Sequence, residues 1–510
     1  MSGRAPCTST CDVLVVGGGI NGAGIARDAA GRGLSVILCE KDDLASHTSS
    51  ASSKLIHGGL RYLEYYEFGL VRKALIEREV LMRSAPHIIS PLRFVMPYMQ
   101  GLRPAWMLRA GLFLYDLLAR RELLPGSTGV DLRHHVAGDP LKAELTRGFM
   151  YSDGWVDDAR LVVLNAMDAA EKGATIMTRT RCESVRQQDG KWRAQLLDAA
   201  QNVIEIEARC LVNATGSWAA QFQQAGAPHE AGKTLRLIKG SHIVVRRLFD
   251  HPYAYIFQHP DGRIVFAIPY EKEFTLIGTT DIDYQGDMNH VAIAQHEIDY
   301  LCTLSSLYFK QRICPDDVVW SYSGVRPLVD DGAKDAKAIT RDYRLELDQA
   351  GAPFLTVFGG KITTFRKLAE DAVNLIAPVL SNRHGAWTGT ACLPGGDIHG
   401  ATPSNRAVLE FSSFVSRLQE QYDWLPAALI QRYAHAYGSR IHHLLKDCTS
   451  IAHMGEAIAD NLYAIEVRYL IKVEWARSAA DILWRRSKLG LHLPAGSDKA
   501  LDEWMAANPY

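Results

Sequence analysis

The 510-residue chain is poor in the features that mark secreted, metal-binding or membrane-spanning proteins. Its nine cysteines, at 7, 11, 39, 182, 210, 302, 314, 392 and 448, are scattered and odd in number. They form no C-x-x-C pair and no Cys/His cluster at zinc spacing. Disulfides, iron–sulfur clusters and a bound metal are therefore not expected, and a reducing compartment is. The first eleven residues contain no apolar stretch, so no secretory signal is expected. The most apolar run, from Ala105 to Ala119, falls short of the ~20 residues of a spanning helix and carries Arg109 and Asp116. An excess of charge is missing too: 56 basic against 57 acidic residues leave a net charge of -1. That balance argues against a globally basic nucleic-acid binder. Long charge runs and low-complexity tracts are absent. The 47% of apolar residues can fill a large core, and the length suggests roughly two to four domains.

What the sequence does have begins at its amino-terminal end. Asp12 to Val16 reads as a short buried strand. It runs into Gly17-Gly18-Gly19-Ile20-Asn21-Gly22, which fits G-x-G-x-x-G. A helix with small residues at Ala23, Ala26, Ala29 and Ala30 follows. A second strand, Ser35 to Cys39, ends at Glu40. Gly17 permits the tight turn, Gly19 lets the backbone approach a pyrophosphate, and Gly22 allows helix and strand to pack closely. The helix N-terminus offers N–H groups and a positive dipole end to phosphates. Glu40 stands where an acid binds ribose hydroxyls, which favours FAD or NAD over NADP.

The motif does not choose between FAD and NAD. Three later segments look like further flavin contacts. The hydroxyl-rich stretch Thr48-Ser49-Ser50-Ala51-Ser52-Ser53-Lys54 can hydrogen-bond phosphate and ribityl oxygens, through Thr48, Ser49 and Ser53. A strand from Cys210 ends in Ala214-Thr215-Gly216, a close backbone approach. The strand at Phe354 leads to Gly359-Gly360-Lys361 and a helix start. That start could stabilise negative charge on the isoalloxazine.

Together these segments resemble the FAD-dependent glycerol-3-phosphate dehydrogenase family, in its aerobic respiratory bacterial form. The resemblance rests on GGGINGAGIARDAAGRG from Gly17, SSASSKLIHGGLRYLE from Ser49 and FGGKITTFRKLAE from Phe358. RLIKGSHIVV from Arg236, IGTTD from Ile277 and YSGVRPL from Tyr322 add to it. It implies an α/β protein: a Rossmann-type FAD-binding domain, an antiparallel-sheet substrate domain and a helical C-terminal domain. It further implies oxidation of sn-glycerol 3-phosphate to dihydroxyacetone phosphate by hydride transfer to flavin N5, with electrons passed to a membrane quinone. A glycerol-phosphate oxidase using O2 shares much the same motifs. An amine or amino-acid oxidase shares the two-domain plan. A flavin-binding scaffold or redox sensor is the non-enzymatic alternative.

If the substrate carries a phosphate, arginine forks suit it. The resemblance implies that Arg61 and Arg326 line the substrate pocket, with Tyr62 and Lys361 nearby. The hydroxyl proton needs a base; His57 is put first and His242 second, each with the alternative of a buried structural histidine. Lys361 is a candidate charge stabiliser, or a base if desolvated.

The flavin domain is expected in pieces, at about 11–90, 154–218 and 325–378. A period-2 block, 235–283, reads as the substrate-domain sheet. From 386 to 510 the pattern turns helical. That module is read as packing support, with dimerisation as a further role, and Asp481 and Arg485 stand one turn apart on it. Residues 93–121 mix five arginines with Trp106, Met107, Phe113 and several leucines. They are read as a helix lying on anionic lipid, which would place the protein peripherally on the cytoplasmic face of the inner membrane, near its quinone.

Overall fold

The computed structural model describes residues 8–99, 101, 103–226, 235–259, 262–329 and 342–509. The first strand, β1 (Thr8–Val16), lies parallel to β2 (Val36–Cys39) on one side and to Val203–Asn213 on the other. Val13, Leu14 and Val15 are completely buried, as expected of a parallel sheet covered on both faces. The sheet order is 344–348, 354–358, 203–213, β1, β2, 175–177. Helix α1 (Ile20–Gly31) connects β1 to β2. Together with Asp158–Glu171 and Phe365–Val379 it covers one face. The opposite face is covered differently, by the strand pair Arg181–Gln188 and Lys191–Leu197. Trp192 is buried there and its indole N–H donates to the Pro353 carbonyl at 2.9 Å.

The second sheet has ten strands, nearly all antiparallel. Its centre is the expected block 235–283, where alternation sets the faces. Ile243 and Val245 pack toward the helix Gln295–Tyr308, and Val244 packs toward the opposite cluster. The sheet also takes in Ile89–Pro97, Arg147–Val156 and Val318–Val329. The flavin pieces expected to start at 154 and 325 therefore begin inside strands of this sheet. Ser-Asp-Gly-Trp at 152–155 and Ser-Gly at 323–324 interrupt apolar alternation, so neither strand shows in the pattern.

Beyond residue 386 the chain is mostly helical, with a core of its own and a small two-stranded hairpin at Ala457–Tyr463. Ion pairs fasten this module to the flavin side. Arg485 and Arg486 both reach Asp43, at 2.6 and 2.7 Å, just past Glu40. Arg160 pairs with Glu474 across the same boundary. Asp481 and Arg485 do pair, within a π-helical turn, and Arg179 joins them at 2.8 Å. No helix among the described residues is long and apolar enough to cross a membrane.

Candidate functional site

The glycine turn is built as tightly as its spacing demands. Gly17 has φ of +111°, and a Cβ on it would stand 2.5 Å from the Ala214 carbonyl oxygen. A Cβ on Gly22 would stand 1.9 Å from the Gly17 oxygen. Strand, turn and helix are thus in backbone contact. Gly19 differs: a Cβ there would meet only Ser49 Oγ, at 3.1 Å, and would otherwise project into open space. Gly19 caps α1 without a side-chain hydrogen bond of its own, and Ser49 Oγ accepts from the Ile20 N–H at 3.0 Å, so this helix end joins a positive dipole to a hydroxyl where an anion can bind.

Three adjoining cavities run from this turn. The first, about 380 Å3, is lined by Gly17, Gly19, Glu40, Thr48, Ser49, Ala214 and Gly216. Glu40 is held by N–H bonds from Gly18 at 2.7 Å and Asp42 at 2.9 Å. Burial raises its carboxyl pKa against those two donors. The second cavity, about 240 Å3, shares Gly19, Thr48, Ser49, Ala214 and Gly216 with the first, and gathers Ser53, His57, Tyr62, His242, Arg326, Gly359, Gly360 and Lys361. The third, about 110 Å3, shares His57, Tyr62 and Arg326 with the second and adds Arg61 and Asp281. Gly22 lies behind the turn in α1, where it sets packing. Every other residue expected to contact cofactor or substrate, or to serve as base, borders this chain of cavities.

The groove fits a dinucleotide. A backbone cradle lies open at Gly19, an acid stands at one end, and, in the second cavity near Gly359, the Oδ1 of Asn21 is buried without a hydrogen-bond partner. The far end is cationic. Arg326 Nη2 contacts Asp281 at 2.6 Å. The Lys361 ammonium sits 3.6 Å over the Tyr62 ring. Arg61 pairs with no acid among the described residues. His242 is stacked on Tyr322, with ring centres 4.8 Å apart, and its Nε2 lies 2.8 Å from Ser53 Oγ. Burial first, then Lys54 and Arg326, push its pKa down to about 3, so it is neutral at ordinary pH. The His57 main-chain N–H donates to Thr363 Oγ1 at 3.2 Å.

Residues 12–366 match the profile of the family described as FAD dependent oxidoreductase, and 387–507 that of the C-terminal domain of alpha-glycerophosphate oxidase. The chain is 52% identical, over 98% of its length and 96% of the relative's, to a glycerol-3-phosphate dehydrogenase of Pseudomonas aeruginosa. It belongs to the FAD-dependent glycerol-3-phosphate dehydrogenase family. Within that family it is also 49% identical, over 97% of both chains, to a D-erythritol 1-phosphate dehydrogenase of Brucella abortus. Its fold superposes with a TM-score of 0.77, at 27% identity, on a glycerol-3-phosphate dehydrogenase of Bacillus halodurans complexed with FAD; the match covers 98% of this chain and 90% of that one. The protein is thus an FAD-dependent oxidoreductase, and FAD is the dinucleotide for which the groove is shaped.

Two residues behind the flavin groove have no role assigned from the sequence. Lys54 and Asp158 form a completely buried ion pair at 2.8 Å. Asp158 also takes the Ser52 hydroxyl at 2.7 Å, and Lys54 Nζ donates to the Ser50 carbonyl at 3.1 Å. The pair therefore stakes down the hydroxyl-rich loop. Burial lowers the Lys54 pKa against the pull of Asp158. For Asp158, burial is outweighed by Lys54 and Lys488, and its pKa falls. Lys54 could have been noticed as the one charge ending a run of small hydroxyl residues. Asp158, about a hundred positions away, could not.

Proposed function

We propose that the protein oxidises sn-glycerol 3-phosphate at C2, giving dihydroxyacetone phosphate. The observation that carries this is the cluster of Arg61, Arg326 and Lys361 with two histidines at the far end of the flavin groove. Bound FAD supplies the hydride acceptor for such a reaction. Arg61 and Arg326 hold the phosphate, each guanidinium presenting a fork to its oxygens. Arg326 is pre-oriented by Asp281, and Tyr62 with Lys361 closes the pocket beside it. His242 takes the proton from the C2 hydroxyl, directly or through Ser53. A base must be neutral, fixed in orientation and within reach of its proton, and His242 is pinned on two sides by Tyr322 and Ser53. This reverses the order expected from sequence, which put His57 first. A phosphate dianion on Arg326 offsets one of the charges that depress His242, so substrate binding itself strengthens the base.

The electrons go on to a membrane quinone. Support comes from the helix Ala105–Leu117, whose side chains are buried only at Leu112 and Tyr115. Trp106, Phe113 and Leu117 are 71, 57 and 65% exposed. Such an apolar face suits peripheral attachment to a bilayer. The arginines contribute less than their number suggests. Arg103 is paired with Glu64, Arg121 with Asp116, and Arg93 and Arg109 are bonded to nearby carbonyls. Attachment is therefore driven by apolar contact more than by attraction to anionic lipid.

The Brucella relative favours a second reading, a four-carbon polyol phosphate as substrate. Comparing kcat/KM for glycerol 3-phosphate and D-erythritol 1-phosphate, with a quinone analogue and with O2 as acceptor, decides both issues. A preference of tenfold or more for the four-carbon substrate, or turnover with O2 alone, overturns the proposal.

A further inference from the structure

The turn that carries Arg61 and Tyr62 is held from below by a buried polar cluster. Gly58 N–H donates to Tyr115 Oη at 2.9 Å and, at the longer distance of 3.3 Å, to Asp153 Oδ1, and Tyr115 O–H donates to Asp153, at 2.8 and 3.0 Å to its two oxygens. Arg78 Nη1 pairs with Asp153 at 2.6 Å and also donates to the Ser152 carbonyl at 2.8 Å. Tyr115, Arg78 and Asp153 are all at most 2% exposed. Burial raises the Tyr115 pKa well above its usual value, with Asp153 adding to the rise, so the phenol keeps its proton and can donate and accept at once. Gly59, the next residue, has φ of +78° and caps the 3-10 segment Leu60–Tyr65. A chain pivoting at such a glycine has alternative conformations, and the shorter of the hydrogen bonds to its neighbour, the one to Tyr115, can decide between them.

We propose that Tyr115 is a positioning residue for substrate binding. Its hydroxyl fixes the Gly58–Gly59 turn and thereby holds Arg61 and Tyr62 toward the phosphate, without touching substrate or flavin. The proposal rests on the reading of Arg61 as a phosphate contact. Tyr115 stands on the buried side of the helix 105–117, so one side chain ties the substrate turn to the helix whose other face is exposed.

Three variants of the FAD-loaded full chain test this: Arg61→Ala, Tyr115→Phe and Leu112→Ala. Each is measured for KM, kcat, inhibition by inorganic phosphate and melting temperature. Leu112 is buried on the same helix without a polar contact to the turn, and reports what mere loosening of the helix does. Tyr115→Phe keeps the ring and its packing. The expected result is a KM about tenfold higher, phosphate inhibition weakened in parallel, and kcat within about twofold, since the turn is less often in its competent form. Leu112→Ala should lower the melting temperature more than Tyr115→Phe does, yet leave KM alone. If Arg61→Ala leaves KM unchanged, the phosphate reading itself fails. If Arg61→Ala raises KM while Tyr115→Phe does not, or if Leu112→Ala raises KM as much as Tyr115→Phe, positioning by Tyr115 is overturned. A Tyr115→Phe protein that loses FAD or does not fold overturns it as well, because the hydroxyl would then serve the fold.

Discussion

Replacing Gly22 by alanine tests the flavin turn at its tightest point. The new Cβ would lie 1.9 Å from the Gly17 carbonyl oxygen, where contacts below 3.0 Å essentially do not occur. Helix α1 must therefore move away from the turn by about 1 Å. The atom in the way is backbone, so no side chain can rotate aside. Overpacking of this kind costs about 1–3 kcal/mol. The same shift carries the helix's first amides away from the pyrophosphate. A hydrogen bond to a charged group contributes about 1.5–3 kcal/mol. Loss of one such bond raises the FAD dissociation constant about 10- to 100-fold. The assay is a fluorescence titration of apoprotein with FAD, beside a thermal melt of each form. Gly69→Ala is the control: it lies in the helix Phe68–Ser84, and a Cβ there meets nothing within 4 Å. That change should leave the fold at least as stable as the parent and leave FAD affinity alone. Gly22→Ala protein that binds FAD within threefold of the parent would refute the argument from close packing.

Other perturbations follow from the same geometry. Asp158→Ala strands the buried Lys54 ammonium, and should cost about 3–5 kcal/mol in denaturant unfolding. The double variant Lys54→Met with Asp158→Leu should recover most of it, and equal losses in single and double variants would deny the pair its role. Stability should also fall in mild acid. Burial pushes His87 and His242 down to about 3, so each is neutral in the fold while its unfolded form gains a proton below the usual pKa of 6.5. Their stabilising share is complete above that value and is lost as pH falls toward 3; at pH 5 the loss is about 2 kcal/mol for each. Unfolding free energies that do not change between about pH 7 and pH 5 would contradict it. Replacing Trp106, Phe113 and Leu117 together by serine should release the protein from vesicles of neutral phospholipid without changing turnover of a soluble quinone analogue. Unaltered co-sedimentation would place membrane contact elsewhere.

The flavin turn was legible because its requirements are local. Gly17, Gly19, Gly22 and Glu40 stand at spacings fixed by one strand, one turn and one helix, and the structure keeps each where the spacing put it. The motif segments around Arg61, Arg326 and Lys361 were legible through resemblance, and the fold brings all three to one end of the groove. What could not be read are contacts between distant positions. Asp158 behind Lys54, Asp153 beneath Gly58, and Arg486 on Asp43 are charged residues whose partners lie 75 to 443 positions away. On paper each resembles an ordinary surface charge. Membership of Arg147–Val156 in the second sheet was hidden too, since its Ser-Asp-Gly centre breaks the period of two. The arginines of 93–121 misled in the opposite sense: as a count they suggested a basic face, whereas Glu64, Asp116 and main-chain oxygens already engage four of them.

The most direct test is an anaerobic titration of the purified yellow protein with sn-glycerol 3-phosphate, followed by absorbance. Stoichiometric bleaching of the oxidised-flavin band is predicted, with dihydroxyacetone phosphate formed in equal amount, and with the Arg326→Ala protein needing about 10- to 100-fold more substrate, as loss of a charge-assisted bond requires. A flavin that stays oxidised at saturating substrate, or an Arg326→Ala protein that titrates like the parent, would contradict it.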